Sequence, residues 1–140
     1  MLLIPTKVGP SRIHGSGLFA TEPVFRGTPI WRFQFGFDHV FSPIEFASLP
    51  RLAREHTRWY CFVSHRSGDV ILSGDHACFL NHASIPNTGT PRGATEPVTT
   101  VALHDIAVGE EITCNYWEYD ADTPWKLGLV PPDSPLGGRG

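Results

Sequence analysis

The sequence predicts a mainly β domain with one short helical insert near its middle, and three observations predict it. There are 14 glycines and 13 prolines among 140 residues, a density that suits short strands joined by many turns and argues against a helical bundle. The apolar and β-branched runs are brief and are repeatedly broken by glycine or proline. A single segment, beginning at Ser42, carries a helix-start signature.

Leu2 to Val8 and Gly17 to Ala20 read as strands on either side of a Gly-rich turn, His14-Gly15-Ser16-Gly17. Thr28 to Phe35 is rich in β-branched and aromatic residues and reads as another. Ser42-Pro43-Ile44-Glu45 then offers a serine cap, a proline at the first helical position and a glutamate three residues after the serine. A short helix should follow, interrupted near Pro50, with a second helical stretch up to about His56. Trp59 to Ser64 and Asp69 to Leu72 read as strands around the turn Arg66-Ser67-Gly68. Gly74 to Thr95 is loop-rich, with one apolar knot at Cys78-Phe79-Leu80. Val98 to Leu103 alternates as a strand should, and Glu111 to Tyr116 is the last strand expected. Residues 131–140 are mostly proline and glycine with little to bury, so they are expected to form a flexible tail.

Composition bounds the function. With 41% hydrophobic and 18% charged residues the chain is globular, not disordered. A formal charge of −3 is far from the basic balance of a nucleic-acid binder, so no direct nucleic acid partner is expected. Cys61, Cys78 and Cys114 stand far apart and form no CxxC pair. No structural zinc is expected on that ground, and an odd cysteine count fits a reducing compartment. His76, His82 and His104 match no metal-ligand spacing, so no metal is expected. No apolar run approaches the roughly 20 residues that span a bilayer. The start Met1-Leu2-Leu3-Ile4-Pro5 is too short for a signal peptide and reads as an edge strand. The expectation is a cytoplasmic protein with no membrane partner.

Three segments could carry chemistry, and each has a plainer reading. In His14-Gly15-Ser16-Gly17-Leu18-Phe19-Ala20 the paired glycines let backbone approach a ligand or adopt positive φ. A strand-like run follows where a Rossmann loop needs a long helix, so that nucleotide-loop reading fails, and a simple turn stays open. In Asn81-His82-Ala83-Ser84-Ile85-Pro86-Asn87 the Asn-His pair can hydrogen-bond an adenine or amino acid moiety, or can form an Asx turn closed by proline. Gly109-Glu110-Glu111-Ile112-Thr113-Cys114-Asn115-Tyr116 brings two carboxylates into a strand ending in tyrosine. Adjacent strand residues face opposite ways, so Glu110 and Glu111 do not form a glycosidase pair.

Together and in this order, over about residues 6 to 120, the three segments resemble the motifs of the SET-domain lysine methyltransferases. The first resembles the family's Gly-x-Gly motif. Gly74 through Asn87 resembles its Gly-Asn-x-x-Arg-Phe-x-Asn-His-Ser-Cys-x-Pro-Asn pattern, and Asp105 through Tyr116 its Gly-Glu-Glu-Leu-Thr-x-Asp-Tyr ending. The resemblance implies a β-clip type fold of small antiparallel sheets with a pseudoknot between the Asn-His segment and the final strand. It implies a single SET domain over residues 1–130, with the helical insert at about 42–57 and a C-terminal cap segment at 117–129. It further implies transfer of a methyl group from S-adenosyl-L-methionine to a lysine amine of a histone or other protein, leaving S-adenosyl-L-homocysteine. His14, Gly15, Ser16, Gly17, Asn81, His82, Tyr60 and Trp125 would then bind the cofactor. Tyr116 would be the catalytic tyrosine, and Phe33, Tyr60, Cys114 and Trp117 would line the substrate channel.

Departures from the pattern keep two other readings open. Cys78 stands for the motif arginine, Ala83-Ser84 for Ser-Cys, Asn115 for the aspartate, and Cys114 for the usual phenylalanine or tyrosine. One alternative is a SET-like binding module with little turnover; the other is a methyltransferase acting on a small amine or non-histone protein. The retained Asn81, His82 and Tyr116 favour the enzyme.

Overall fold

A computed structural model describes residues 1–94 and 99–137. The strands in chain order are β1 (Thr6–Pro10), β2 (Ser16–Ala20), β3 (Pro29–Trp31), β4 (His39–Phe41), β5 (Cys61–Val63), β6 (Val70–Leu72), β7 (Asn81–His82), β8 (Thr88–Gly89), β9 (Thr100–Ala102) and β10 (Glu111–Cys114). The helices are α1 (Pro43–Ser48), α2 (Arg51–Tyr60) and α3 (Thr123–Lys126). They pack as two units, residues 1–38 with 73–115 and residues 39–72 with 116–137.

The first unit holds two sheets. One has the order β1-β2-β10-β7 and the other β3-β9-β8. β1 and β2 form an antiparallel hairpin with Thr6 opposite Ala20 and Pro10 opposite Ser16. β10 lies on the other side of β2, with Ile112 opposite Leu18, and β7 runs parallel to β10. Leu18, Ala20, Val24, Ile30, Ala102, Ile106 and Ile112 form the core. Each fully buried leucine or isoleucine among them contributes about 2 kcal/mol. Asn87 also secures β10 by its side chain: its Oδ1 accepts from the Thr113 N–H at 2.8 Å and its Nδ2 donates to the Glu111 carbonyl at 2.8 Å. The Thr88 hydroxyl adds a bond to the Thr113 carbonyl at 2.6 Å. Residues 81–88 thus pair in parallel with the final strand and then grip it again by side chains.

The second unit has one sheet, β4-β6-β5, packed around Phe46, Cys61, Val63 and Val70. The capping box forms as its residues dictate, with Glu45 N–H on the Ser42 hydroxyl and the Glu45 carboxylate on the Ser42 N–H. Two buried aspartates tie the end of the chain to α2 and β5. Asp120 Oδ1 accepts from the Val63 N–H at 2.9 Å while its Oδ2 pairs with Lys126 at 2.5 Å. Asp122 takes a two-pronged grip from Arg58, at 2.8 and 2.9 Å.

Several boundaries differ from the sequence reading. The helical insert runs past 57, because Trp59 and Tyr60 form the last turn of α2 and the Cys61 N–H still bonds the Thr57 carbonyl. Their strand propensity yields to that continuing ladder. Only Pro29–Trp31 of the Thr28 to Phe35 run is strand, and β1 begins at Thr6 where Leu2 was expected to start it. Tyr116 lies in a 3₁₀ turn, Tyr116–Glu118, two residues beyond Cys114, where the strand ends. Val98, expected in β9, and residues 138–140 lie outside the described residues. The expectation that residues 131–140 have little to bury is corrected at Leu136, which packs against the second core. Ser134 and Pro135 offer carbonyls to Arg58, and the Gly137 N–H bonds Asp122 at 2.9 Å. No described helix is long and apolar enough to cross a membrane.

Asp38, 5% exposed, ties three parts of the first unit together. It accepts from the Met1 amine and the Gln34 N–H, both at 2.7 Å, and from the Gly74 N–H at 2.9 Å. Burial pushes its pKa up, but these donors and the ammonium charge outweigh burial and hold it below the ordinary 3.8. A depressed carboxylate pKa stabilises the fold above the unfolded value, and that contribution is lost as the pH falls through the folded one. Asp38→Asn is expected to cost about 1–3 kcal/mol at pH 7 and to show a flatter acid limb below 3.8 than the parent. Urea midpoints taken down the pH scale check this; identical acid limbs would contradict it.

Candidate functional site

The three motifs meet in the first unit at one side chain. Asn81 sits on β7 and is 8% exposed. Its Nδ2 donates to the His14 carbonyl at 3.1 Å, the Ser16 carbonyl at 3.0 Å and Glu111 Oε1 at 2.9 Å. Three acceptors around one atom identify it as the amide nitrogen, with two hydrogens shared among them. Those donors are therefore spent on the protein itself, and they hold the 14–17 loop in place.

The loop's glycines have separate causes. Gly15 has φ +47°, a left-handed conformation that other residues reach only with strain. Its carbonyl accepts from the Ser11 N–H at 2.8 Å, closing the hairpin. Gly17 has ordinary backbone, but a Cβ there would collide with Glu111 Oε1 and lie 3.1 Å from Ser11 Cβ. His14, Gly15 and Ser16 are exposed, and nothing stands within 4 Å of the place a Cβ on Gly15 would occupy. The loop thus stands exposed while its carbonyls are held by Ser11 and Asn81. His82 follows Asn81 in β7, half-buried and in register with Cys114. Cys114 is 5% exposed and directs its Sγ at the Asn81 carbonyl at 3.9 Å. Phe33 is half-buried just past β3.

Tyr116, Tyr60, Trp117 and Trp125 belong to the second unit. Tyr116 is half-buried, its ring 6.2 Å from that of Tyr119, which in turn meets Phe62 edge-on at 5.2 Å. The Lys126 ammonium, fixed by Asp120 and the Cys61 carbonyl, lies 5.8 Å from the Tyr116 ring centroid. Tyr60 ends α2 against His56, ring to ring at 5.1 Å. Trp117 is 49% exposed. Trp125, expected to cap an adenine, is engaged by its own unit. The Arg58 guanidinium stands 4.1 Å from its ring and Trp59 4.5 Å away, and its Nε1 donates to the Pro132 carbonyl. Burial pushes the Cys61 thiol up to about 11 and raises that of Cys78, so neither is a ready thiolate at neutral pH. Among the described residues no group of histidine, cysteine and carboxylate side chains could hold a metal ion.

Sequence reasoning missed two members of the cluster. Glu111 was weighed only against Glu110 as an acid pair, and Ser11 carries no motif at all. They meet across 100 residues of chain, with the Ser11 hydroxyl on both carboxylate oxygens at 2.8 and 2.9 Å.

A hairpin loop pinned by a motif asparagine, against a last strand gripped twice by the segment beside it, defines a SET-type fold. The family model for the SET domain matches residues 15–117, and the chain belongs to the SET-domain family. A Plasmodium falciparum chain described as a candidate histone methyltransferase superposes with a TM-score of 0.55 at 18% identity, over 82% of this chain and 95% of that one. The Chaetomium thermophilum Polycomb Repressive Complex 2 in a humanized, inhibitor-bound form gives 0.61 at 24% identity, over 84% of this chain and 15% of that one. The same complex, autoinhibited and bound to S-adenosylmethionine, gives 0.63 at 22%, over 90% and 17%. At these identities the likeness is one of fold. No curated protein matches the chain.

The two glycines of the motif should respond differently to alanine. At Gly17 the new Cβ displaces a carboxylate held by three hydrogen bonds, a cost of about 2–4 kcal/mol. At Gly15 there is room and only the φ penalty applies, about 1–2 kcal/mol. Urea midpoints of Gly17→Ala and Gly15→Ala check the order; a larger loss at Gly15 would refute the packing account.

Proposed function

We propose that the chain is an S-adenosyl-L-methionine-dependent protein-lysine N-methyltransferase, with Tyr116 at the transfer site. The observation that carries this reading is the Asn81 bridge, which joins all three SET motifs and leaves residues 14–16 exposed to solvent. That exposed, pinned loop suits a donor with an amino acid end. His14, Gly15, Ser16 and Gly17 would hold that end, with Asn81 positioning them and His82 beside it.

S-adenosyl-L-methionine supplies an electrophilic methyl group on a positively charged sulfur. The chain's own residues must present a neutral amine in line with it. A lysine of pKa about 10.4 is mostly protonated at pH 7, and neutralising it costs about 4–5 kcal/mol. Apolar walls lower that cost, because desolvation and a neighbouring positive charge both disfavour the ammonium. Phe33, Tyr60, Cys114 and Trp117 are the residues proposed to exclude water, and the Tyr116 hydroxyl to orient the amine. The Lys126 charge and the Tyr119 ring lie 5.8 and 6.2 Å from the Tyr116 ring centroid. The proposed substrate is a lysine in a histone or another protein. Cys114 is small where the family carries an aromatic ring, which favours adding more than one methyl group to the same lysine.

Calorimetry with S-adenosyl-L-methionine, followed by methyl transfer to lysine-bearing proteins, tests the reading. The parent chain is expected to bind at micromolar concentration. Tyr116→Phe should keep that binding and lose transfer by about a hundredfold or more. Mass spectra of exhausted reactions should contain di- or trimethyl-lysine, and monomethyl product alone would overturn the role given to Cys114. Binding without transfer to any lysine would point to a binding module.

A further inference from the structure

Ser11 lies outside every motif, yet one hydroxyl makes four hydrogen bonds. It donates to Glu111 Oε1 and Oε2 at 2.8 and 2.9 Å, as a three-centred bond, and accepts from the Ile13 and His14 N–H groups at 2.9 and 3.3 Å. The backbone N–H of Ser11 also bonds the Gly15 carbonyl. Ser11 therefore closes the loop on itself and fastens it to β10 at the same time.

Glu111 is the other half of the fastening. No ion pair to Glu111 occurs among the described residues. Its carboxylate is satisfied by neutral donors, the Ser11 hydroxyl and the Asn81 amide, and Gly17 makes the room it fills. Hydrogen bonds to an ionised acceptor are about twice as strong as neutral ones. The charge therefore strengthens both bonds, and through Asn81 it bears on the His14 and Ser16 carbonyls.

We propose that Ser11 and Glu111 form a clasp that positions the 13–17 loop for the methyl donor, with Ser11 a positioning residue. The proposal rests on the reading that residues 14–17 hold S-adenosyl-L-methionine. Without the Ser11 hydroxyl, Ile13 and His14 lose their acceptor and Glu111 is left with Asn81 alone. The loop then samples conformations that cannot bind, and the apparent dissociation constant rises in proportion to the competent fraction lost. Transfer at saturating donor is untouched, since bound donor restores the loop.

Calorimetric titration of S-adenosyl-L-methionine into the full chain, Ser11→Ala and Ser11→Thr tests this, with kcat measured alongside on a lysine substrate. Ser11→Ala should weaken donor binding by about tenfold, with kcat within about twofold of the parent. Ser11→Thr keeps the hydroxyl and should restore the affinity, which a merely structural defect would not predict. Equal affinity in the parent and Ser11→Ala overturns the clasp, as does a Ser11→Thr variant as weak as Ser11→Ala. If Ser11→Ala does not fold, Glu111→Gln reads the same clasp, and unchanged donor affinity there also overturns it. A parent chain that binds no donor overturns the reading of the site itself, a result distinct from failure of the clasp alone.

Discussion

The first unit depends on one buried amide. Asn81 Nδ2 points at three oxygens, two carbonyls of the hairpin loop and a carboxylate of β10, and supplies the hydrogens that let them sit together. Without a donor there, three electron-rich atoms would face one another in a site 8% exposed at Asn81, where unpaired polar groups are costly. Much of what surrounds it follows from that convergence. Gly17 must lack a side chain because Glu111 occupies the space, and β7 must run beside β10 to bring Asn81 within reach. Asn87 and Thr88 then hold β10 in the position from which Glu111 can be reached.

The second unit solves a different problem. Its sheet has three short strands, and among the described residues its core holds four buried apolar ones, so polar ties carry much of the order. Asp120 and Asp122 are each 1% exposed and each faces a cation. Buried ion pairs fix geometry more surely than they add stability, since removing one partner leaves the other charge stranded. Here they fix the segment that begins at Tyr116. Asp120 grips β5 and Lys126, and Lys126 stands over the Tyr116 ring.

What the sequence made legible divides along physical lines. The capping box at Ser42 was readable because its interactions are local, spanning three residues. The β1–β2 hairpin and the turn at residues 66–68 were readable for the same reason. The three motifs were found by resemblance, which also named Asn81 and Tyr116. The Ser11–Glu111 contact was not readable, since a serine 100 residues from its partner leaves no local pattern. Strand ends were misplaced wherever tertiary pairing, not propensity, sets them. Trp59 and Tyr60 look like strand and end a helix, while the two-residue strands β7 and β8 exist only because β10 and β9 lie beside them. The anchoring of the chain end by Leu136 and Arg58 was likewise hidden, because one leucine among prolines and glycines gives no periodic signal.

Replacing Asn81 by aspartate keeps the shape and exchanges the donor for a fourth acceptor, so its unfolding free energy tests the convergence most directly. Urea unfolding of Asn81→Asp at pH 7 is expected to show a loss of about 3–5 kcal/mol, from a buried charge facing His14 O, Ser16 O and Glu111 without a donor. The deficit should shrink as the pH falls, because the introduced carboxyl takes up a proton and becomes a donor. A variant within about 0.5 kcal/mol of the parent at pH 7, inside the range of ordinary surface substitutions, would show that the loop and β10 are held by something other than this amide.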